Sequence, residues 1–300
     1  MLNLILSLIG IFALIVVVGR LMHRYFVYIP DRNRVAPKDV GLPDVQEVTF
    51  KGTGGVTLIA WYLPARKGKP TLLYFTGNAG NASYRSGKIA AIAADGYGVF
   101  MLNYRRYGGS GGRPSEKKIS ADALLAYDCV RAQGVSPQKI IAYGESLGTA
   151  VATRLSLHRE VQALVLEAPF TSTVNVGKLL WPGFPLGIIM VDQYRTIDRI
   201  GQVYVPLFII HGGRDNIIPL DQARHVFHAA NEPKSLVVVP RASHSDLFEL
   251  GGWAKVRAFL ESLETVEPVE AVESAPVVPG RVARAGRRVE AAAAANVEGR

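Results

Sequence analysis

The pentapeptide Gly-Glu-Ser-Leu-Gly at residues 144–148 constrains the fold of this chain more than any other feature. It follows the mostly apolar run 139–143, which is typical of a buried strand, and it precedes the helix-like run 149–155. A Gly-x-Ser-x-Gly segment in this context is typical of a nucleophile elbow, a tight turn that lifts the serine hydroxyl clear of the sheet. The glycines remove side chains where strand and helix would collide. The pattern therefore predicts Ser146 as a nucleophile at the edge of a sheet.

Two later segments place an acid and a base after predicted strands. The apolar run 206–210 is followed by a loop that carries Asp215, and the apolar run 236–239 is followed by a loop that carries His244. Ligands of open α/β sheets bind beyond the carboxyl ends of the strands, so we expect these side chains to meet Ser146 there. A histidine can take the serine proton, and an aspartate can fix the imidazole tautomer. The chain order of the three residues predicts a Ser-Asp-His triad.

Two backbone N–H groups are expected to stabilise an oxyanion beside Ser146. One belongs to Leu147, which follows the nucleophile at the predicted helix start. The other should come from the loop 76–81, which follows the predicted strand 71–75 and contains two glycines that permit close backbone approach. We predict the N–H of Asn78 as this second donor.

Together these motifs resemble the membrane-anchored, serine-aminopeptidase-like branch of the α/β-hydrolase superfamily over roughly residues 45–262. The matching stretches are 77–81, 103–116, 144–148, 169–172, 211–215, 218–219 and 243–246. The resemblance implies the following roles: Ser146 as nucleophile, Asp215 as acid, His244 as base, and Asn78 and Leu147 as oxyanion donors. The name of the branch describes kinship and does not establish peptide cleavage.

Two positions depart from the pattern of that branch. Thr76 stands where the branch often has a histidine that braces the oxyanion loop, and Arg106 stands where it usually has a glycine. A larger side chain at position 106 would narrow or charge the mouth of the pocket. Arg105, Arg106 and Arg113 are accordingly candidates for favouring an anionic substrate, and the alternative is a solvated basic loop.

The alternation of strand-like and helix-like runs predicts an α/β-hydrolase fold with a mainly parallel central sheet flanked by helices and preceded by an N-terminal transmembrane helix. A hairpin is expected within 45–63, around the glycine-rich turn 52–55. The predicted organisation is as follows: transmembrane anchor 1–22, juxtamembrane linker 23–44, hydrolase domain 45–263 with a short lid-like insertion at 168–204, and disordered tail 264–300. The insertion is expected to roof an acyl-binding pocket, to dip into the membrane, or to form a short helical connection packed on the core.

The N-terminal segment is the second strong signal. Residues 2–19 are almost entirely apolar, and with Leu21 and Met22 they approach the ~20 residues needed to cross a bilayer. No Lys or Arg precedes the run and no small-residue cleavage site follows it, which favours an uncleaved anchor over a signal peptide. Basic residues after the anchor favour a cytoplasmic domain. Many members of the branch that the chain resembles project the catalytic domain outward, so both membrane topologies stay open.

Composition narrows the partners. The net charge of +9 comes from scattered residues without an aromatic-interleaved basic patch, which argues against a nucleic-acid partner. The single cysteine, Cys129, cannot form an internal disulfide, and no Cys/His cluster around it suggests a zinc site. Hydrolysis through an acyl-enzyme at Ser146 is expected to use no metal or organic cofactor.

The expected function is hydrolysis of an acyl ester or thioester through an acyl-enzyme on Ser146, with a small-molecule or lipid-like acyl substrate and a membrane contact through the N-terminal helix. One alternative is a non-catalytic hydrolase-fold protein that binds a lipid or a partner. Another is an acyltransferase or peptidase that uses the same triad. The sequence alone leaves both alternatives open.

Overall fold

Ten strands lie within residues 1–265, the part of the chain that the computed structural model describes. They are β1 (Ile29–Pro30), β2 (Gln46–Lys51), β3 (Thr57–Leu63), β4 (Thr71–Phe75), β5 (Ala79–Gly80), β6 (Gly98–Asn103), β7 (Ile140–Glu145), β8 (Ala163–Glu167), β9 (Leu207–Gly212) and β10 (Lys234–Val239). Eight of them form one sheet in the order β10-β9-β8-β7-β4-β6-β3-β2. Only the pairs β2–β3 and β3–β6 are antiparallel. The predicted mainly parallel sheet and its N-terminal hairpin are confirmed.

The helices in the same range flank this sheet. They are α1 (Leu2–Val27), α2 (Ser86–Ala94), α3 (Glu116–Ala132), α4 (Leu147–Ser156), α5 (Thr173–Leu180), α6 (Leu186–Ile189), α7 (Ile197–Ile200), α8 (Leu220–Ala229) and α9 (Trp253–Thr265). Strands β4, β6, β7 and β8 are almost completely buried, because helices cover both faces of a parallel sheet. Their near-continuous apolar runs follow from this double burial.

The N-terminal segment extends further into the fold than predicted. Helix α1 ends at Val27 and not near residue 22, and β1 then pairs in parallel with β5 to form a separate two-stranded sheet. Residues 23–44, predicted as a linker, therefore contain the end of a helix, a strand and a 3₁₀ turn. The reason is packing, because Val27 and Tyr28 belong to the main buried cluster of the domain.

The insertion at 168–204, called the cap below, contains the short helices α5, α6 and α7. Helix α5 begins where the Ser172 hydroxyl accepts a hydrogen bond from the Asn175 N–H. Large apolar side chains of the cap remain about half exposed, including Leu179, Trp181 and Phe184. The tail predicted to begin at residue 264 lies, beyond Thr265, outside the described residues.

Candidate active site

Ser146 lies on a strained turn between β7 and α4. Its backbone has φ 51° and ψ −116°, a region that residues with a side chain seldom occupy. The surrounding hydrogen bonds hold this conformation, because the Ser146 N–H donates to the Glu167 carbonyl at 2.8 Å and the Thr149 N–H donates to the Ser146 carbonyl at 2.9 Å. The Ser146 hydroxyl thus stands at the carboxyl edge of the sheet, as the elbow motif predicts.

The two glycines of the motif are required by space. A Cβ on Gly144 would lie 2.4 Å from the Gly148 carbonyl oxygen, and a Cβ on Gly148 would lie 2.0 Å from the Phe75 carbonyl oxygen. Both obstacles are backbone atoms, which cannot move aside as a side chain can. The close approach of α4 to β7 and β4 therefore depends on glycine at both positions.

Three distant side chains meet at this edge. Nε2 of His244 lies 3.1 Å from the Ser146 hydroxyl oxygen, and Nδ1 of His244 lies 2.6 Å from Oδ2 of Asp215. The other carboxylate oxygen of Asp215 accepts hydrogen bonds from the backbone N–H groups of Ile217 and Ile218, at 2.9 and 2.8 Å. The structure therefore brings all three predicted triad residues into one hydrogen-bonded chain.

The electrostatics of Asp215 favour the ionised carboxylate. Burial alone would raise its pKa, but the hydrogen bond and charge of His244 and the N–H of Ile218 lower the pKa more strongly, so the net pKa lies below its usual value. His211 lies beneath the carboxylate and donates from Nε2 to the Ile218 carbonyl at 2.8 Å. Burial is the largest influence on His211 and lowers its pKa below the usual value.

The loops that carry Asp215 and His244 are joined by their backbones. The Arg214 N–H donates to the Ala242 carbonyl at 2.8 Å. A Cβ on Gly212 would lie 2.5 Å from that same carbonyl oxygen, so glycine is needed for the approach. This contact fixes the loop of Asp215 relative to the loop of His244.

Asn78 and Leu147, the predicted oxyanion donors, line the same cavity as Ser146 and His244. Leu147 is the first residue of α4, where backbone N–H groups have no partner within the helix. A Cβ on Gly77 would lie 3.5 Å from the Ser146 Cβ, so the loop that carries Asn78 runs directly beside the nucleophile. The role of both N–H groups as oxyanion donors stays a prediction.

The segment that follows α1 holds the oxyanion loop, a contact that sequence reasoning missed. The Ile29 N–H donates to the Asn78 carbonyl at 2.9 Å, and the Asn78 side-chain amide donates to the Val27 carbonyl at 3.0 Å. The Asp31 N–H donates to the Gly80 carbonyl at 3.1 Å. We call residues 27–31 the brace. It supports the loop in a chain that has Thr76 at the position where a histidine often does so.

A partly buried cluster of paired charges lies next to Ser146, and sequence reasoning missed this cluster as well. Glu145 pairs with the guanidinium of Arg85 at 2.8 Å and with the ammonium of Lys88 at 3.1 Å, and Lys88 also reaches Glu167 at 2.7 Å. Burial alone would raise the pKa of Glu145, but the charges of Lys88 and Arg85 lower it well below its usual value. Arg85 donates in addition to the Ala79 carbonyl at 2.9 Å. The Arg85 guanidinium thereby ties the oxyanion loop to the elbow.

The basic residues considered for the pocket mouth lie elsewhere. Arg105 is only 2% exposed and pairs with Asp122, and its guanidinium also donates to the Thr53 carbonyl. The side chain therefore turns inward to join α3 to the hairpin loop. Arg105, Arg106 and Arg113 are not among the residues that line the active-site cavity.

The cavity above Ser146 has a volume of about 1150 Å³ and a largely apolar lining. Its floor is the carboxyl edge of the sheet, where Ser146 and His244 lie, and its walls come from α1 and from the cap. Within residues 1–265, no group of three or more His, Cys, Asp or Glu side chains is arranged to hold a metal ion. The site therefore places a hydroxyl, an imidazole and a carboxylate in one hydrogen-bonded chain at one end of an apolar cavity.

A mostly parallel sheet with a serine on the turn between β7 and α4 is the architecture of the α/β-hydrolase class. Comparison with known proteins agrees: a family model described as the alpha/beta hydrolase fold matches residues 70–189. The Mycobacterium tuberculosis (strain H37Rv) protein Rv2307c is 39% identical over 226 residues, which cover 74% of this chain and 80% of that protein. The Arabidopsis thaliana alpha/beta hydrolase domain-containing protein WAV2 is 30% identical over 72% of this chain and 78% of its own length. The chain belongs to the α/β-hydrolase superfamily.

Solved structures share the fold at lower identity. The esterase Pf2001 of Pyrococcus furiosus superimposes with a TM-score of 0.62 and 20% identity, over 79% of this chain and 97% of that structure. This likeness supports the architecture described above, and the chemistry is argued from the site itself.

Proposed function

We propose that the protein is a membrane-anchored serine hydrolase that cleaves an acyl ester or thioester through an acyl-enzyme at Ser146. The single observation that carries this proposal is the hydrogen-bonded chain from Ser146 through His244 to Asp215, at 3.1 and 2.6 Å. The apolar cavity above it suits an acyl group. In such a chain the histidine can take the proton of the serine hydroxyl, and the buried carboxylate orients the imidazole and stabilises its charged form.

In the first half-reaction, Nε2 of His244 takes the hydroxyl proton while Oγ of Ser146 bonds to the substrate carbonyl carbon. The carbonyl oxygen becomes an oxyanion that accepts hydrogen bonds from the backbone N–H groups of Asn78 and Leu147. Each such hydrogen bond raises the rate roughly 10²- to 10³-fold. Asp215 stabilises the imidazolium. His244 then returns the proton to the departing alcohol or thiol, and the acyl group remains on Ser146.

In the second half-reaction, His244 deprotonates a water molecule, whose oxygen bonds to the acyl carbon. The second tetrahedral intermediate uses the same oxyanion donors. When it collapses, the bond to Oγ breaks, Ser146 regains its proton from His244, and a carboxylic acid leaves. The cycle needs no electron transfer and consumes one water per ester.

Membrane anchoring through α1 is part of the proposal. The helix has 26 residues, or about 39 Å at 1.5 Å per residue, which exceeds the ~30 Å hydrocarbon core. It is apolar enough to cross a membrane, and its apolar window is not buried in the protein, although a signal sequence would pass the same test. Retention is favoured because the domain buries Val27 and hydrogen bonds to its carbonyl.

Fractionation and mass measurement test the anchor. We expect the full chain, with residues 1–27 intact by mass spectrometry, in the carbonate-washed membrane pellet. Recovery of a shortened chain in the soluble fraction would contradict the anchor and favour a cleaved signal.

A fluorophosphonate probe tests the nucleophile. We expect it to label the wild-type protein and not Ser146→Ala, whereas the matched control Ser156→Ala, at the other end of α4, should be labelled normally. Unchanged labelling of Ser146→Ala would reject the nucleophile. An unlabelled wild-type protein would favour the binding-protein alternative.

A further inference from the structure

One wall of the active-site cavity is the apolar helix α1 itself. Eight residues of α1 line the cavity, and the large apolar side chains among them recur at the spacing of one helix face: Leu14, Ile15, Val18, Met22 and Phe26. These five side chains remain between 42% and 61% exposed, so the described protein leaves about half of their surface uncovered. A helix face that lines a reactive site and stays partly uncovered is available to an apolar ligand.

The facing wall is the cap. Leu180, Trp181 and Phe184 line the same cavity and are about half exposed. The rings of Phe26 and Trp181 meet edge to face, with centroids 6.0 Å apart, so the two walls are in contact at this point. We call the space between these walls the anchor–cap groove. It continues into the chamber that contains Ser146.

The wall formed by α1 is fixed to the cap. The Arg24 guanidinium pairs with the buried carboxylate of Asp192 at 2.7 Å, and Arg20 donates to the Ile188 carbonyl at 2.9 Å. A Cβ on Gly19 would lie 2.9 Å from the side chain of Ile189, so glycine permits α1 and α6 to touch. These contacts fix the position of α1 relative to the cap, so the helix remains a wall of the groove.

The length of the groove suits one long hydrocarbon chain. From Leu14 to Phe26 the lining stripe extends over 12 residue-to-residue steps, or about 18 Å at 1.5 Å per residue. Half of a bilayer's ~30 Å hydrocarbon core, the depth of one leaflet, is about 15 Å. The cavity volume of about 1150 Å³ also exceeds the ~300–1,000 Å³ that small-molecule pockets usually have.

We infer that the anchor–cap groove binds the acyl chain of the substrate, and that the substrate class is a long-chain acyl ester or thioester whose chain enters from the bilayer. This inference rests on the proposed function. The anchor helix is then a wall of the binding site as well as a tether. The carbonyl carbon reaches Ser146 while the chain lies along the stripe from Phe26 toward Leu14.

Neighbouring valines on α1 offer a matched test. Val18 lines the groove, whereas Val17 is 54% exposed and does not line it. For full-length protein in detergent micelles, kcat/KM is measured with p-nitrophenyl esters from acetyl to palmitoyl. Wild type should prefer the longer chains. Val18→Trp should lower the palmitoyl-to-acetyl ratio about tenfold, equivalent to lost contact with roughly two methylenes, and Val17→Trp should keep the wild-type ratio.

The outcomes separate this inference from the proposed function. Ester turnover that persists in Ser146→Ala overturns both. Turnover that depends on Ser146, with equal ratios in Val18→Trp and Val17→Trp, overturns the groove and leaves the hydrolase standing, as does a wild-type preference for acetyl. If Val18→Trp fails to fold, Ile15→Trp fills the groove further along the stripe and must lower the ratio in the same way.

Discussion

The two halves of the candidate site are held by different parts of the chain. Ser146, Asp215 and His244 follow strands β7, β9 and β10, so the core sheet positions all three side chains. The oxyanion loop instead exchanges hydrogen bonds with the brace, residues 27–31, which continues the apolar helix α1. The triad therefore depends on the hydrolase core, whereas the loop depends also on a segment outside it.

This difference bears on how the protein is studied. A shortened chain that lacks residues 1–31 would keep the triad and lose the brace, together with one wall of the cavity. Low activity of such a chain would say little about Ser146. Helix α1 and the oxyanion loop are physically connected, because the segment that leaves the helix contacts Asn78.

The largest effect is expected on the core side, for Gly148→Ala. Its Cβ would lie 2.0 Å from a backbone oxygen of β4, so the elbow cannot form without moving a central strand. We expect a free-energy loss of about 4 kcal/mol or more and no measurable turnover. Thermal unfolding measures the loss, and Gly87→Ala on α2 is the control, since nothing lies within 4 Å of its Cβ. A Gly148→Ala protein as stable as this control would contradict the elbow geometry.

The next effect is expected for Asp215→Asn. An amide in place of the buried carboxylate cannot stabilise the imidazolium of His244, and kcat should fall about 10⁴-fold with the fold intact. Steady-state kinetics on one ester measures this fall. Asp221→Asn, at an exposed carboxylate on α8, is the matched control and should keep wild-type kcat. A loss of less than tenfold in Asp215→Asn would mean that another group supports the base.

The core side of the site was predictable because its signals are local. Strand β4 has the bounds predicted from its apolar run, and each triad residue follows such a run. Helix α3 begins at Glu116 because the Ser115 hydroxyl accepts a hydrogen bond from the Lys118 N–H and caps the helix there. Such a cap is also a local signal.

The contacts that hold the oxyanion loop have no comparable local signal in the sequence. Strand β1 has only two residues, and its partner β5 lies 50 residues further along the chain, so no periodicity marks the pair. The charge cluster likewise joins Lys88 to Glu145 and Glu167 across long separations in sequence. Only the apolar residues 25–30 within a basic stretch hinted that the supposed linker packs on the domain. Long-range pairing through backbone atoms is set by the tertiary fold.

A smaller effect is expected from breaking the brace with Ile29→Pro. Proline lacks the N–H that Ile29 donates to the Asn78 carbonyl, while the Tyr107 hydroxyl still reaches that carbonyl at 2.6 Å. We expect kcat to fall about tenfold, the equivalent of one hydrogen bond, with KM little changed, because oxyanion donors act on the transition state.

Ile29→Ala is the matched control for that change, because it keeps the N–H and, like the proline variant, removes the isoleucine side chain, which is 56% exposed and lines the cavity. It should retain wild-type kcat. Equal kcat values in the two variants would show that the oxyanion loop holds its shape without the brace, and the contrast between the two halves of the site would then disappear.

The smallest effect concerns the dependence of stability on pH. The folded-state pKa of Asp215 lies below the ~3.9 of an unfolded chain, so its carboxylate adds stability above pH ~4. That contribution is lost as the pH falls through the folded-state pKa. The difference in Tm between wild type and Asp215→Asn should therefore shrink from pH 7 to pH 3, with Asp221→Asn correcting for the loss of one negative charge. A constant difference would mean that the core does not stabilise the ionised acid before substrate binds, and that the triad is less preorganised than its distances indicate.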